Sequence, residues 1–224
     1  MPDLSFHVES AQAVRYAASP LLTLRVVIRQ NAPPGGAPSE IQSIALQCQV
    51  RLEPGLRRYS PGEQEKLYEL FGEPRRWGQT VRSTLWVNTS AAVPGFIEQT
   101  SVDMPVPCTF DFNIAQTKYF HALEDGMAPL CLLFSGTVFY HDAEGSLRIQ
   151  QIPWEKEASF QFPVRVWKEM MDLYYPNTAW LCVHRDLLDR LAQFKVQNGS
   201  PSWDHALESL LSATNMTIGA EVSP

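Results

Sequence analysis

The chain reads as a mainly β protein, an antiparallel β-sandwich with a short helical insertion at about residues 60–72 and short helices packed on it at the C-terminal end. Three observations carry that reading. About eight segments before residue 166 alternate apolar and polar residues with a period of two, the signature of strands with one buried face. One stretch among them carries a complete set of helix start and stop signals. Near Val166 the apolar period lengthens from two to that of a helix. The 224 residues, 45% hydrophobic and 19% charged, suffice for one domain with a sizeable core and exclude general disorder.

The elements follow in order. Leu4, Phe6 and Val8 open a short strand over residues 3–11, and Leu22, Leu24, Val26 and Ile28 alternate with Thr23, Arg25 and Arg29 in a second. Residues 31–39, NAPPGGAPS, can only be a loop. Ile44, Leu46, Cys48, Val50 and Leu52 form a third strand, for which antiparallel pairing with the second is the expectation. Then comes the stretch 57–80, RRYSPGEQEKLYELFGEPRRWGQT. Ser60 suits the N-cap, Pro61 the first helical position, and Glu63 completes a capping box. Gly72 and Pro74 supply the stop.

A strand follows at 82–89, and Val93-Pro94-Gly95-Phe96 is expected to break it. Between Thr100 and Ile114 the even positions from Val102 onward are apolar, while Pro105 and Pro107 on the other face mark an edge or bulged strand. Residues 114–123 fit either a continuing strand or a short helix. The run 129–140, PLCLLFSGTVFY, is apolar at successive positions and is expected to be the central strand, buried on both faces. Gly136 within it marks a kink or a close approach by another backbone. A hairpin at 142–152 and a strand from Ala158 to Val166 complete the β part, giving a first region over 1–165. Val166, Trp167, Met170 and Tyr174 start a helical extension of the same domain, 166–212, with further amphipathic helices around Leu187–Phe194 and Trp203–Leu211. Residues 213–224 show no pattern and read as a flexible tail.

The net charge of −6 argues against indiscriminate nucleic-acid binding. No apolar run is long enough to span a bilayer, and the first ten residues lack the features of a signal peptide, so the expected compartment is the cytoplasm. The four cysteines, Cys48, Cys108, Cys131 and Cys182, form no C-x-x-C pair and read as buried free thiols.

No motif commits the chain to a catalytic chemistry. His184-Arg185-Asp186-Leu187 matches the start of a kinase catalytic loop, but Leu191 stands where its Asn is needed and no glycine-rich phosphate loop accompanies it. Ser135 lacks the G-x-S-x-G frame of a nucleophile elbow. His121 and Glu124 have the H-x-x-E spacing of a metal-ligand pair on a helix, and His141 adjoins Asp142, yet further ligands are not evident. The expected cofactor set is therefore empty. The remaining constellation is basic: residues 51–82 carry seven basic side chains against five acidic ones in an acidic protein. Arg57, Arg58, Tyr59, Arg75, Arg76 and Trp77 flank the short helix, and arginine with aromatic side chains is the composition of protein-binding sites.

Several strings taken together, LSFHVESA at Leu4, the segment 57–80, VPCTFDFNIAQTKYFHALEDG at Val106, LLFSGTVFY, IPWEKEA and VWKEMMDLYYPN, resemble an uncharacterised bacterial family known mainly from actinobacteria. The resemblance covers nearly the whole chain to about Leu211. Members are often encoded near uptake nickel–iron hydrogenase genes. The resemblance therefore implies a non-catalytic accessory protein whose partner is a hydrogenase subunit or maturation factor. Two alternatives stand beside it: a metal-dependent hydrolase-type enzyme using His121, Glu124 or His141, and a carrier holding an apolar small ligand between its sheets.

Overall fold

The computed structural model describes residues 2–31, 38–109, 114–178 and 183–220, with side chains described as far as residue 213. The chain forms two compact units, Met1–Thr178 and Ala179–Pro224.

The first unit holds two antiparallel sheets. Strands β1 (Asp3–Ala13), β2 (Leu21–Asn31) and β5 (Gln99–Pro107) form one, in the order β1-β2-β5. The other has the order β4-β3-β6-β7, built from β3 (Ile41–Leu52), β4 (Thr84–Phe96), β6 (Met127–His141) and β7 (Leu147–Gln151). Strand β8 (Glu157–Pro163) pairs with the first half of β6, alongside the part of that strand which β7 leaves free. The mainly β, sandwich-like class read from the alternation is the observed one. Its core is the set of residues that the period of two selects: Leu4, Phe6 and Val8 of β1 and Leu22, Leu24, Val26 and Ile28 of β2 are all buried.

Four expectations are corrected or completed. Strands β2 and β3 do not pair: β2 lies between β1 and β5, and β3 between β4 and β6. Complementary alternation cannot separate pairing within a sheet from facing across a sandwich, and the long connection leaves room for the chain to change sheets. Val93-Pro94-Gly95-Phe96 does not break its strand, because β4 continues to Phe96 opposite Ile41. Strand β4 is the edge of its sheet, where a proline's missing N–H costs no ladder bond. A Cβ at Gly95 would stand 3.0 Å from the carbonyl oxygens of Ile41 and Gln42, so glycine permits the contact. The prolines at 105 and 107 likewise sit on an edge strand, as their pattern indicated.

Strand β6 is central but not buried on both faces. Leu130, Leu132, Phe134 and Val138 point into the core, while Ser135 on the other face is exposed. Gly136 has φ +132°, and a Cβ there would lie 2.1 Å from the carbonyl oxygen of Ala45 on β3. This is the close backbone approach that its place in the strand suggested. The undecided stretch after residue 113 is helix α4 (Ile114–Ala122).

The insertion consists of α1 (Pro61–Lys66), α2 (Tyr68–Phe71) and α3 (Trp77–Thr80). Helix α5 (Val164–Tyr174) follows β8 directly and belongs to the first compact unit. Trp86, Phe120, Phe162 and Trp167 join β4, α4, β8 and α5 in one aromatic cluster, with Phe120 stacked on Trp167 at 5.5 Å. The Tyr174 hydroxyl donates to the Val14 carbonyl (2.7 Å) and accepts from the Ala17 N–H (3.0 Å), which ties α5 to the β1–β2 connection.

The second unit contains α6 (Arg185–Gln197) and α7 (Trp203–Ala220). Helix α7 extends beyond residue 213, where the sequence pattern fades, and residues 221–224 lie outside the described ones, as does Cys182. Among the described residues no helix is long and apolar enough to cross a membrane.

Candidate functional site

The arginine-flanked segment is organised by one buried carboxylate. Ser60 is the N-cap of α1: its Oγ accepts the Glu63 N–H (3.1 Å) and its own N–H donates to Glu63 Oε2 (3.0 Å), the reciprocal capping box. Glu63 also reaches across the fold. Its Oε1 accepts the Glu124 N–H (2.9 Å) and pairs with Arg57 Nη2 at 2.7 Å. The two side chains of this ion pair are only 10% and 5% exposed. Arg57 in turn donates to the carbonyls of Asp125 (2.7 Å) and Met127. The segment is thus fastened to the turn between α4 and β6 by a charge pair out of water.

Burial alone would raise the Glu63 pKa. The N–H groups of Glu124 and Ser60 and the Arg57 guanidinium outweigh it and hold the carboxyl below its ordinary range. Arg57 Nε is buried with no partner among the described residues, a cost the other contacts of the guanidinium offset.

Three aromatic residues of the segment, Tyr59, Phe71 and Trp77, also face inward. The Tyr59 hydroxyl donates to the Pro54 carbonyl (2.7 Å) and lies 3.1 Å from the Tyr119 hydroxyl. Trp77 donates its indole N–H to the Gly72 carbonyl (2.9 Å) and packs edge-on against Tyr59 and Phe71, with centroids at 5.3 and 5.4 Å. Burial, with the other phenol beside it, pushes the Tyr59 pKa up, and burial does the same for Tyr119. Both stay neutral across the physiological range.

The six residues singled out in the sequence therefore divide. Arg57, Tyr59 and Trp77 hold the segment together. Arg58, Arg75 and Arg76 are exposed, and their guanidinium groups make no hydrogen bond or ion pair among the described residues. The same is true of Arg82, just beyond α3. Arg51, by contrast, is engaged by Ser83 (2.8 Å) and Gln49 (3.2 Å).

Between α2, α4 and the end of β3 lies an open cleft of about 460 Å³. Leu52, Leu70, Phe71, Val81 and Tyr119 contribute its apolar wall, and among the described residues Arg82 is the one charged residue lining it. No local string announces this cleft, because its walls come from segments up to 67 positions apart, Leu52 and Tyr119 being the extremes.

The histidine and carboxylate candidates are not brought together. His121 is exposed in the last turn of α4. Glu124 lies in the next turn, where its side chain accepts from Ser60 Oγ (3.3 Å) and faces Lys66 Nζ at 3.6 Å. His141 is the last residue of β6, at the opposite end of that strand from Glu124, with Glu40 Oε2 at 3.9 Å. Asp142 beside it caps a turn by accepting the N–H groups of Glu144 and Ser146. Among the described residues no group of three or more His, Cys, Asp or Glu side chains is arranged to hold a metal ion. Cys48 and Cys108 are buried free thiols, each pushed up to about 12 by burial, and Cys131 is half-buried.

No curated protein matches the chain. Among solved structures, the CARDB domain of a Pyrococcus furiosus protein, crystallised with di-metal ions, is similar over 72% of this chain and 87% of its own, at 13% identity and a TM-score of 0.27. A β-glucosidase from Kluyveromyces marxianus is similar over 72% of this chain and 15% of its own, at 10% identity and a TM-score of 0.24. Likenesses at these scores carry no argument about fold or function. The family comparison is decisive: a family model matches residues 1–218, and the chain belongs to that family, the family of unknown function DUF6084.

Proposed function

We propose that the protein is a non-catalytic binding module that docks an acidic protein surface through Arg58, Arg75 and Arg76. One observation carries the reading. These three cations are exposed and unpaired on a segment whose backbone is fixed from beneath by the Arg57–Glu63 pair. An unpaired guanidinium on a rigid support meets a carboxylate without breaking an existing ion pair and loses little backbone freedom in doing so. Arginines also steer an oppositely charged partner during encounter.

The genomic habit implied by the family resemblance directs the search for the partner to subunits and maturation factors of uptake nickel–iron hydrogenases. Affinity isolation from the native host, followed by mass spectrometry, tests this reading. Recovery of a hydrogenase component in the eluate supports it. Repeated isolation without any hydrogenase or maturation protein rules that partner out.

A further inference from the structure

The cleft beside α2 has its own chemistry, which uses none of the three docking arginines. Its volume of about 460 Å³ falls within the range of small-molecule sites. The wall is aliphatic and aromatic, and its polar groups are mostly committed elsewhere. The Thr80 and Thr84 hydroxyls donate to the carbonyls of Arg76 (3.1 Å) and Arg82 (3.2 Å), and the Gln116 amide donates to the Leu85 carbonyl (2.6 Å). The Tyr119 phenol is turned to Tyr59, and burial keeps it un-ionised.

Lys118, Glu69, Glu53 and Arg51 on the flanking elements are already engaged. Lys118 joins α4 to α2 through Glu69 at 2.5 Å, and Glu53 accepts from Ser83, which itself accepts from Arg51. Among the described residues that line the cleft, Arg82 is the one charged side chain, and its guanidinium has no partner.

We propose that this cleft binds a small carboxylate with an apolar tail, the tail lying against Leu52, Leu70, Phe71 and Tyr119 and the carboxylate on Arg82. A neutral apolar molecule would leave the guanidinium with nothing to pair, and a cation would be repelled by it. Carboxylates also match the guanidinium fork in shape, so two parallel hydrogen bonds can form.

The test is calorimetric titration of the full chain with octanoate, with octanol and octylamine as matched neutral and cationic probes. Octanoate should bind saturably and about tenfold more tightly than octanol, the worth of a charge-assisted hydrogen bond, and octylamine should not bind. Arg82→Gln should remove the preference for octanoate over octanol without moving the melting temperature. Ala115→Leu, which narrows the cleft from α4, should abolish binding of both while leaving the fold intact. Equal affinities for octanoate and octanol, a preference that survives Arg82→Gln, or no saturable heat for octanoate would each overturn the proposal. Octanoate binding should persist in Arg75→Glu/Arg76→Glu, so failure of the docking reading and failure of this one are separately visible.

Discussion

Replacing Glu63 by Gln tests whether one side chain fastens the insertion to the sandwich. The carboxylate accepts from the N–H groups of Ser60 and Glu124 and pairs with Arg57. Glutamine keeps the shape, removes the charge, and turns an NH₂ group toward one of three donors. Removing one partner of a buried ion pair leaves the other uncompensated, a loss of about 3–5 kcal/mol. Because Arg57 retains two backbone carbonyls as partners, the lower end, about 3 kcal/mol, is the expected value.

In a unit of this size each kcal/mol moves the melting temperature by about 2–4 °C, so the shift should be about 6–12 °C. Circular dichroism during thermal and urea unfolding measures it. The pH dependence supplies a second reading. The folded-state pKa of Glu63 is depressed, so its contribution to stability is fully present above the ordinary carboxylate pKa and is lost as pH falls through the folded value. Wild type and Glu63→Gln should therefore differ most at neutral pH and converge in acid. A destabilisation below about 0.5 kcal/mol at neutral pH, the level of an ordinary surface change, would refute the role assigned to the pair.

Three further outcomes follow from the same structure. Gly136→Ala forces a positive φ on alanine and drives its Cβ to 2.1 Å from the Ala45 carbonyl oxygen, so it should cost more than about 4 kcal/mol or abolish folded expression. Trp86→Ala removes the ring that packs on Phe120 and Phe162 and should cost about 3–5 kcal/mol in urea unfolding. Cys48 and Cys108, buried and un-ionised at neutral pH, should stay unlabelled by iodoacetamide in the native state and react on unfolding, while half-buried Cys131 should react first of the three.

The legible parts of the chain were those written in local periods. Alternation picked out the inward faces of β1, β2 and β3 residue by residue, and the capping box at Ser60 and Glu63 appears with both of its hydrogen bonds. Sheet membership was not legible. Leu24 and Leu46 sit in different sheets but share one core, and alternation reads the same for a neighbour in the sheet as for a partner across the sandwich. The division of the arginine cluster was equally hidden. Arg57 and Arg58 are adjacent and chemically identical, yet only Arg57 meets Glu63, Asp125 and Met127, and two of those partners stand about seventy positions away. The cleft was invisible for the same reason, since α2, α4 and the end of β3 meet only in the folded chain.

The division between a buried lock and free cations is tested most directly by parallel affinity isolation with wild-type protein, Arg75→Glu/Arg76→Glu and Glu63→Gln, with the melting temperature of each bait recorded. The arginine reversal should lose the acidic partner while keeping its melting temperature within about 2 °C, because exposed unpaired side chains contribute little to folding. Glu63→Gln should lower the melting temperature instead. Partner recovery unchanged by the double reversal, or lost together with the fold, would contradict the assignment of Arg75 and Arg76 to docking.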